Sequence, residues 1–250
     1  MSLPARWAGG AAIAAAFLWS AWATEVSLGR LIEGVPLMLD FVYRMLPPDP
    51  SVFGQALKGA LQTLQIAVVG TAVGALLALP VSFAAARNTS RRWVFYWTRS
   101  ALNTFRAVDT LVYALFFVAA VGLGPFPGVL AVVVYTATVL AKLFSEAIEA
   151  MDPGPVEAVE AVGATRLQVL RWGVVPQLLP QFLSFTLYRF ETNIRAAAVL
   201  GFVGAGGIGF YIQTYLRLLN YPAASTVLLV LVVMVMLVDF ASSRLRARLV

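Results

Sequence analysis

The chain has 250 residues, of which 60% are hydrophobic and only 12% are charged. Soluble globular domains carry about 45–50% apolar and about 25% charged residues, so this composition is typical of a membrane protein. The sequence has no cysteine and no histidine, which excludes disulfides, thiolate or imidazole metal sites and Ser-His-Asp catalysis. The net charge of +6 is explained by the basic loops of a membrane protein, so we expect no nucleic-acid partner. We also expect no metal site and no cofactor.

Long apolar runs predict the membrane spans, because a helix needs about 20 apolar residues to cross the hydrocarbon core. Six such runs occur, at residues 7–24, 60–84, 102–121, 128–145, 177–199 and 219–240. Glycines and prolines at 122–128 separate the third run from the fourth and predict a tight hairpin there. The predicted fold class is an all-α membrane protein with six transmembrane helices in one membrane domain, residues 1–250.

The segment between the first two spans, residues 26–46, has apolar residues at the spacing of one helix face. It predicts an amphipathic helix on the outer surface of the bilayer, bent at Pro36 and ended by the prolines at 47–50. Such a helix would anchor the chain to lipid or dock an external partner. The first span ends in Ala21-Trp22-Ala23, which resembles a signal-peptide cleavage site, but the span is longer than a signal core of about 7–15 residues.

The distribution of basic residues predicts the orientation of the chain. With the N-terminus inside, twelve of the 18 Lys and Arg residues fall on cytoplasmic segments and four on outer segments. The remaining two lie inside the fifth span. Because cytoplasmic loops carry the excess of Lys and Arg, we expect both termini in the cytoplasm.

Two nucleotide-binding patterns can be tested against the sequence. The run at 204–209 satisfies G-x-G-x-x-G, but a dinucleotide fold also needs a preceding strand and an acid about 20 positions on. The first acid after this run is Asp239, thirty residues later, and the surroundings are membrane helix. A P-loop needs Ser or Thr after its lysine, and neither Lys58 nor Lys142 has one. The chain is therefore expected to bind no nucleotide, and its glycine run to allow close backbone packing or to line a water-filled path.

Charged residues inside a span are costly and normally face a polar interior. Arg99 and Arg106 share one helix face, and snorkelling to the cytoplasmic interface is the simpler interpretation for Arg99. In the fifth span Glu191 and Arg195 are spaced to neutralise one another, whereas Arg189 has no local partner. No catalytic set is predicted, so the chain is not expected to be an enzyme. The predicted translocation pathway comprises Arg106, Arg189, Asn193, Arg195, Gly204, Gly206 and Gly207.

The cytoplasmic loop at 146–176 contains a signal for a short helix. Asp152 supplies an N-cap acid, and the prolines at 153 and 155 fit a first turn. Residues 156–162 can then form two helical turns, which Gly163 ends, and residues 164–172 resume a helix. A short rigid helix between two spans is what a membrane protein would present to a soluble motor protein.

This loop resembles the EAA motif of ABC-importer permeases, E-A-A-x3-G-x9-I-x-L-P, and we call it the coupling loop. The matching residues are Glu157, Ala158, Val159, Gly163 and Pro176, with Val159 in place of the second alanine. Val175 replaces the leucine of the motif. Gly173 replaces its isoleucine and is expected to loosen the helix after the loop.

Further segments are similar to the phosphonate permease family. They are Leu46-Pro47-Pro48-Asp49, residues 62–67, Leu79-Pro80 with Ala86-Arg87-Asn88, Gly122-Leu123-Gly124-Pro125, and residues 193–209. Asp109-Thr110 departs from the proline and acid typical of phosphonate permeases, which leaves phosphonate, phosphite and phosphate open. Methionine permeases share the Gly-Ala-Gly-Gly loop and are the alternative within the same transporter class.

The resemblance implies a type I ABC importer permease fold with a cytoplasmic coupling helix, in a bacterial plasma membrane. It further implies a homodimer of this chain, two cytoplasmic ABC ATPases on the coupling loops and an external substrate-binding protein. Cargo would pass along the dimer axis while ATP drives alternating access. An ion-coupled secondary transporter is the alternative from another class, since Asp109, Glu191 and Asp239 supply carboxylates, but no inverted repeat is evident.

Overall fold

The computed structural model describes residues 3–246, and every secondary-structure element in that range is helical. The chain divides into two compact units, with the boundary between Leu46 and Pro47. The prediction of one membrane domain stays a prediction.

The first unit consists of α1, Leu3–Ala23, and α2, Leu28–Arg44, with axes that differ by 48° between Ala12–Ala23 and Leu28–Arg44. Helix α2 begins where Ser27 Oγ accepts the Arg30 N–H, as an N-cap serine does. The helix predicted at 26–46 is confirmed, and Pro36 lies inside it. Its position on the outer membrane surface stays a prediction.

The second unit contains the remaining nine helices of the described range. They are α3 (Phe53–Ala85), α4 (Arg92–Arg106), α5 (Thr110–Val121), α6 (Pro125–Glu149), α7 (Pro153–Ala161), α8 (Arg166–Val169), α9 (Val175–Leu200), α10 (Ile208–Arg217) and α11 (Tyr221–Arg246). Short turns of 3-10 helix, Pro50–Val52 and Gly201–Val203, flank α3 and α9. Four helical segments are long and apolar enough to cross a membrane, and six if each bent pair counts as one span.

The third predicted span, 102–121, is wrong as a single helix. It falls on the end of α4 and on α5, whose axes differ by 82° across a break at residues 107–109. Asp109 caps α5 by accepting the Leu111 N–H at 2.8 Å, and the Tyr113 hydroxyl donates to the Phe105 carbonyl at 2.7 Å. The cap starts a new helix at Thr110, so the predicted span contains a corner between two helices.

Small residues bring α3 and α6 together. A Cβ on Gly70 would lie 2.8 Å from Val132 Cβ, and one on Gly74 would lie 2.8 Å from Thr136 Cβ. Glycines four residues apart thus form the face of α3 that receives α6, as in membrane helix pairs where backbones approach closely. The two helices form the scaffold on which α9 is positioned.

The predicted hairpin between α5 and α6 is shorter than the cluster of helix breakers. Gly122 and Gly124 have φ of 91° and 136°, which only glycine adopts readily, and they make the turn. Pro125 occupies the first turn of α6, where a proline is tolerated because its N–H would be unpaired. Helix α6 therefore begins at Pro125, three residues before the predicted start of the fourth span.

Candidate translocation pathway and coupling loop

A buried polar cluster lies where α3, α6 and α9 meet. Asn193 Nδ2 donates to Thr71 Oγ1 and to Thr136 Oγ1, both at 2.8 Å. Asn193 is completely buried, and its Oδ1 accepts no hydrogen bond from the described residues. An interhelical amide of this kind fixes the register of the three helices, and Asn193 lies inside the bundle, out of contact with solvent.

Arg189 lies one helical turn before Asn193, on the face of α9 that meets α6. Its Cζ is 4.6 Å from the centroid of the Tyr135 ring, a cation–π distance. The Arg189 Nε is buried without a hydrogen-bond partner, and none of the described carboxylates forms an ion pair with this side chain. Asp109 attracts it only at longer range. Arg189 is thus a positioned positive charge that no contacting carboxylate neutralises.

The predicted pair between Glu191 and Arg195 is wrong. Glu191, only 6% exposed, accepts a hydrogen bond from Arg246 at 2.6 Å, and Arg195 binds both oxygens of Asp239 at 2.9 and 3.1 Å. Both partners stand on α11, 55 and 44 residues away in sequence. The antiparallel packing of α9 on α11 offers these partners, and local spacing cannot reveal them.

Two arginines of α4 differ in environment. Arg106 lies exposed in the last turn of α4, beside the corner that leads to α5. Arg99 donates to Glu149 at 3.0 Å and to the Ala85 carbonyl at 3.1 Å. Local spacing does not reveal this long-range ion pair, and the snorkelling predicted for Arg99 stays a prediction.

The glycine loop, residues 204–207, packs against two neighbouring segments. Gly204, Gly206 and Gly207 have φ of 83°, 77° and 80°, in the left-handed region that favours glycine. A Cβ on Gly206 would lie 2.9 Å from Pro125 Cα, and one on Gly207 would lie 2.7 Å from Thr63 Oγ1. Of the two roles predicted for these glycines, the geometry supports close backbone packing.

Hydrogen bonds also hold the glycine loop on α3. The Gly207 N–H donates to Gln62 Oε1 and the Ile208 N–H to Thr63 Oγ1, both at 2.8 Å. On the other side, the Gly124 N–H donates to the Gly204 carbonyl at 2.9 Å. The first N–H groups of α10, which have no partner within that helix, are therefore satisfied by α3.

The coupling loop contains the predicted short helix as α7. Asp152 Oδ1 accepts the Gly154 N–H at 2.9 Å as the N-cap, and Gly163 with φ of 78° follows the helix. Glu157 and Ala158 are exposed, Val159 is half-buried, and none of the α7 residues is buried. An open recess of about 390 Å³ lies beside Gly163, lined by Val159, Val162, Gly163, Ala164, Gln168 and Trp172.

The segment after α7 leads into α9 through one π-helical turn, Leu170–Val174. A Cβ on Gly173 would lie 3.1 Å from Val156 Cα, so this glycine lets α7 pack against the turn. Gln177 Nε2 donates to the Gly173 carbonyl at 2.8 Å and to the Asp152 carbonyl at 3.2 Å. The irregularity expected at Gly173 is present, and Pro176 follows it, exposed, in the first turn of α9.

Comparisons with known proteins identify the family. Residues 52–250 match the family of binding-protein-dependent transport system inner membrane components. Phosphite transport system permease protein PtxC of Stutzerimonas stutzeri is 43% identical over 217 residues, covering 86% of this chain and 79% of the relative. Phosphate-import permease protein PhnE of Mycolicibacterium smegmatis is 41% identical over 220 residues, covering 86% of this chain but 41% of the relative.

A solved structure shows the same fold at lower identity. The chain is similar to one from the inward-facing MetNI methionine ABC transporter, with a TM-score of 0.70 and 24% identity, over 81% of this chain and 99% of that chain. The resemblance carried by the EAA motif is confirmed at the level of the family, and an ion-coupled secondary transporter is not supported. With the match from residue 52 onward and these relatives, the chain belongs to the inner membrane components of binding-protein-dependent transport systems.

Proposed function

We propose that this chain is the permease subunit of an ATP-driven, binding-protein-dependent importer whose cargo is a phosphorus oxyanion: phosphite, phosphate or a small phosphonate. The observation that carries the choice of an anion is Arg189. Three other arginines of the bundle, Arg99, Arg195 and Arg246, bind carboxylates, whereas Arg189 is held on a tyrosine ring without one. The names of the relatives at 41–43% identity support the same class of cargo.

The depth of Arg189 fits a role in anion passage. It lies fourteen residues beyond Val175, which is about 21 Å along α9 and within the span. An unpaired arginine facing lipid there would cost about 2.5 kcal/mol or more. We therefore infer that Arg189 faces a hydrated path. A site that bound a dianion tightly would slow its release, whereas one fixed charge lowers the barrier and still lets the anion leave.

The proposed assembly contains two copies of this chain, each with six spans and both termini in the cytoplasm. The spans are α1, α3, the bent α4 and α5, α6, α9, and α11. Two ABC ATPases dock on the coupling loops at α7 and Gly163, and the binding protein delivers cargo at the opposite face. ATP binding and hydrolysis then switch the access of the path by rigid-body movement. Native mass spectrometry tests the stoichiometry: two copies with two ATPases are expected, and a pair of different permease chains contradicts the homodimer.

The remaining pathway residues have graded roles in this proposal. Arg195 is balanced by Asp239 and contributes a weaker field than Arg189. Arg106 lies exposed at the end of α4, where it would attract anions at the entrance or exit of the path. Asn193 and the three glycines of the loop act on the path indirectly. Asn193 fixes the register of the helices around it, and the glycines allow their close packing.

The experiment compares two arginines of α9 in proteoliposomes with the purified permease, ATPase and binding protein. We expect Arg189→Gln to lower phosphite uptake about tenfold or more, because a half-buried positive charge that assists the anion is lost. Arg195→Gln combined with Asp239→Asn, which removes a balanced pair between α9 and α11, is the matched control and should retain most uptake. Unchanged uptake and anion preference in Arg189→Gln would contradict the role of this charge.

A further inference from the structure

The last residues of α3 and α6 meet the middle of α4 at Glu149, outside the proposed pathway. Glu149 is the last residue of α6, and its carboxylate accepts the Arg87 backbone N–H at 2.6 Å and Arg99 Nη2 at 3.0 Å. The same Arg99 guanidinium donates through Nε to the carbonyl of Ala85, the last residue of α3, at 3.1 Å. The Arg99 and Glu149 side chains are 23% and 28% exposed, so solvent screens this pair only in part.

The position of Glu149 is unfavourable for α6 taken alone. The C-terminal end of a helix carries partial negative charge from its unpaired carbonyls, so a carboxylate in the last turn is repelled. Arg99 compensates this repulsion and also caps the Ala85 carbonyl of α3, while Asn88 Nδ2 donates to the Ile148 carbonyl at 2.9 Å. Glu149 thus serves the junction between helices, because a lysine or a neutral residue would suit the end of α6 better.

The junction lies directly before the coupling loop. Only Ala150 and Met151 separate Glu149 from Asp152, the N-cap of α7. Helix α7 therefore has two mechanical connections to the bundle. One passes through Gln177 and Gly173 to α9. The other passes through Glu149 and Arg99 to α3 and α4. Bonds from the Arg87 N–H and Asn88 join the segment after α3 to the end of α6, and the ion pair adds α4 to this connection.

We propose that Arg99 and Glu149 are a positioning pair that transmits the displacement of α7 to α3 and α4. This inference rests on the proposed function, since it assumes an ATPase acting on α7. If the pair is merely structural, its removal lowers the stability of the complex and leaves the number of anions transported per ATP unchanged. If the pair positions α7, the ATPase continues to hydrolyse ATP after its removal, but fewer anions cross for each ATP.

The test measures phosphite transported per ATP hydrolysed in proteoliposomes with the complete complex. We expect Arg99→Gln and Glu149→Gln each to lower this ratio about tenfold while assembly and basal hydrolysis persist. Their combination should lower it no further than either single variant, because both remove the same contact. Lys142→Gln is the matched control, since Lys142 pairs with Glu146 at 3.6 Å within α6, and its ratio should equal that of the unmodified protein.

A conservative variant keeps the test decisive if the glutamine variants do not assemble. Arg99→Lys retains the charge but cannot donate to Ala85 and Glu149 through one planar fork, so an intermediate ratio is expected. An unchanged ratio in Arg99→Lys and in the assembled glutamine variants would overturn the proposal, as would additive losses in the double variant. If the unmodified complex transports no phosphorus oxyanion, the proposed function fails instead, which distinguishes the two failures.

Discussion

Glycine is used in opposite ways at the two ends of α9. Beyond Leu200, glycines of the loop and of α10 lie where any side chain would collide: a Cβ on Gly209 would strike the Ala198 carbonyl oxygen, and one on Gly207 would meet Thr63. Before Val175, Gly163 has nothing within 4 Å of its Cβ position and is distinguished only by its φ of 78°. The glycine loop is packed to backbone contact, whereas Gly163 lies on an open surface.

The difference in packing between the glycine loop and Gly163 indicates that the first of these two ends of α9 holds the bundle together. We propose that the second end meets a partner. The glycine loop is fixed by close contacts with Pro125 and Thr63 and by hydrogen bonds to α3. Helix α7 buries no residue, and this open surface is where we propose that a partner docks. Substitutions at the first end should therefore act on stability, and substitutions at the second should act on coupling.

The largest effect is expected for Gly209→Ala. The added methyl group would overlap the Ala198 carbonyl oxygen, which is backbone and cannot rotate away, so α9 and α10 must separate. Overpacking of this kind costs about 1–3 kcal/mol or more. Thermal unfolding in detergent should show a fall of several degrees or no recovered complex. Gly54→Ala, at a position with nothing within 4 Å, is the control, and equal stability of both variants would refute the close packing.

A smaller loss of stability is expected for Thr63→Val. The substitution keeps the shape of the side chain but removes the acceptor for the Ile208 N–H, which is then buried without a partner. Leaving one buried donor unpaired costs about 1–3 kcal/mol. Thr214→Val, whose hydroxyl only bonds back to its own helix, should change the unfolding temperature little. If the two variants unfold together, the glycine loop is not held by α3 in this way.

At the coupling end, Gly163→Val should abolish transport while the complex still assembles, and its loss of stability should not exceed the cost of the strained backbone. A β-branched residue at φ of 78° costs about 1–2 kcal/mol, which displaces the turn after α7 without disturbing any packed neighbour. Gly163→Asn is the matched control, because asparagine tolerates the left-handed region. Normal ATP-driven uptake by the assembled valine variant would remove Gly163 from the coupling surface.

The smallest effect concerns Asp49, which links the first residues of the second unit to α11. Its N–H donates to the Pro222 carbonyl at 3.2 Å, and its carbonyl accepts the Thr226 hydroxyl at 2.9 Å. Hydrogen bonds from Ser51 hold the pKa of the Asp49 carboxyl below its ordinary 3.8. A lowered pKa contributes stability above that ordinary value, and this contribution is lost as the pH falls through the folded-state pKa.

Asp49→Asn therefore sharpens the comparison from the pH side. At pH 7 the aspartate should be slightly more stable than the asparagine, which is itself a good N-cap. At pH 3 the difference in unfolding temperature should shrink. A difference that grows on acidification would show that the carboxylate is not favoured in the folded state.

Local sequence patterns predict most of the helices but few of their partners. Apolar runs locate α3, α6, α9 and α11, and the Asp152 and Gly163 signals locate α7, because these properties depend on neighbours in sequence. The corner at 107–109 is missed because Asp109, the N-cap of α5, lies inside the run predicted as one span. Local spacing pairs Glu191 with Arg195. The packing of α11 instead supplies Arg246 as the partner of Glu191 and Asp239 as the partner of Arg195.

The most direct test of the account is uptake by proteoliposomes that contain the purified chain with its ATPase and binding protein. The account predicts that a phosphorus oxyanion accumulates only when both ATP and the binding protein are supplied, and that methionine does not accumulate. Accumulation of methionine, or uptake of the oxyanion driven by an ion gradient without ATP, would contradict it.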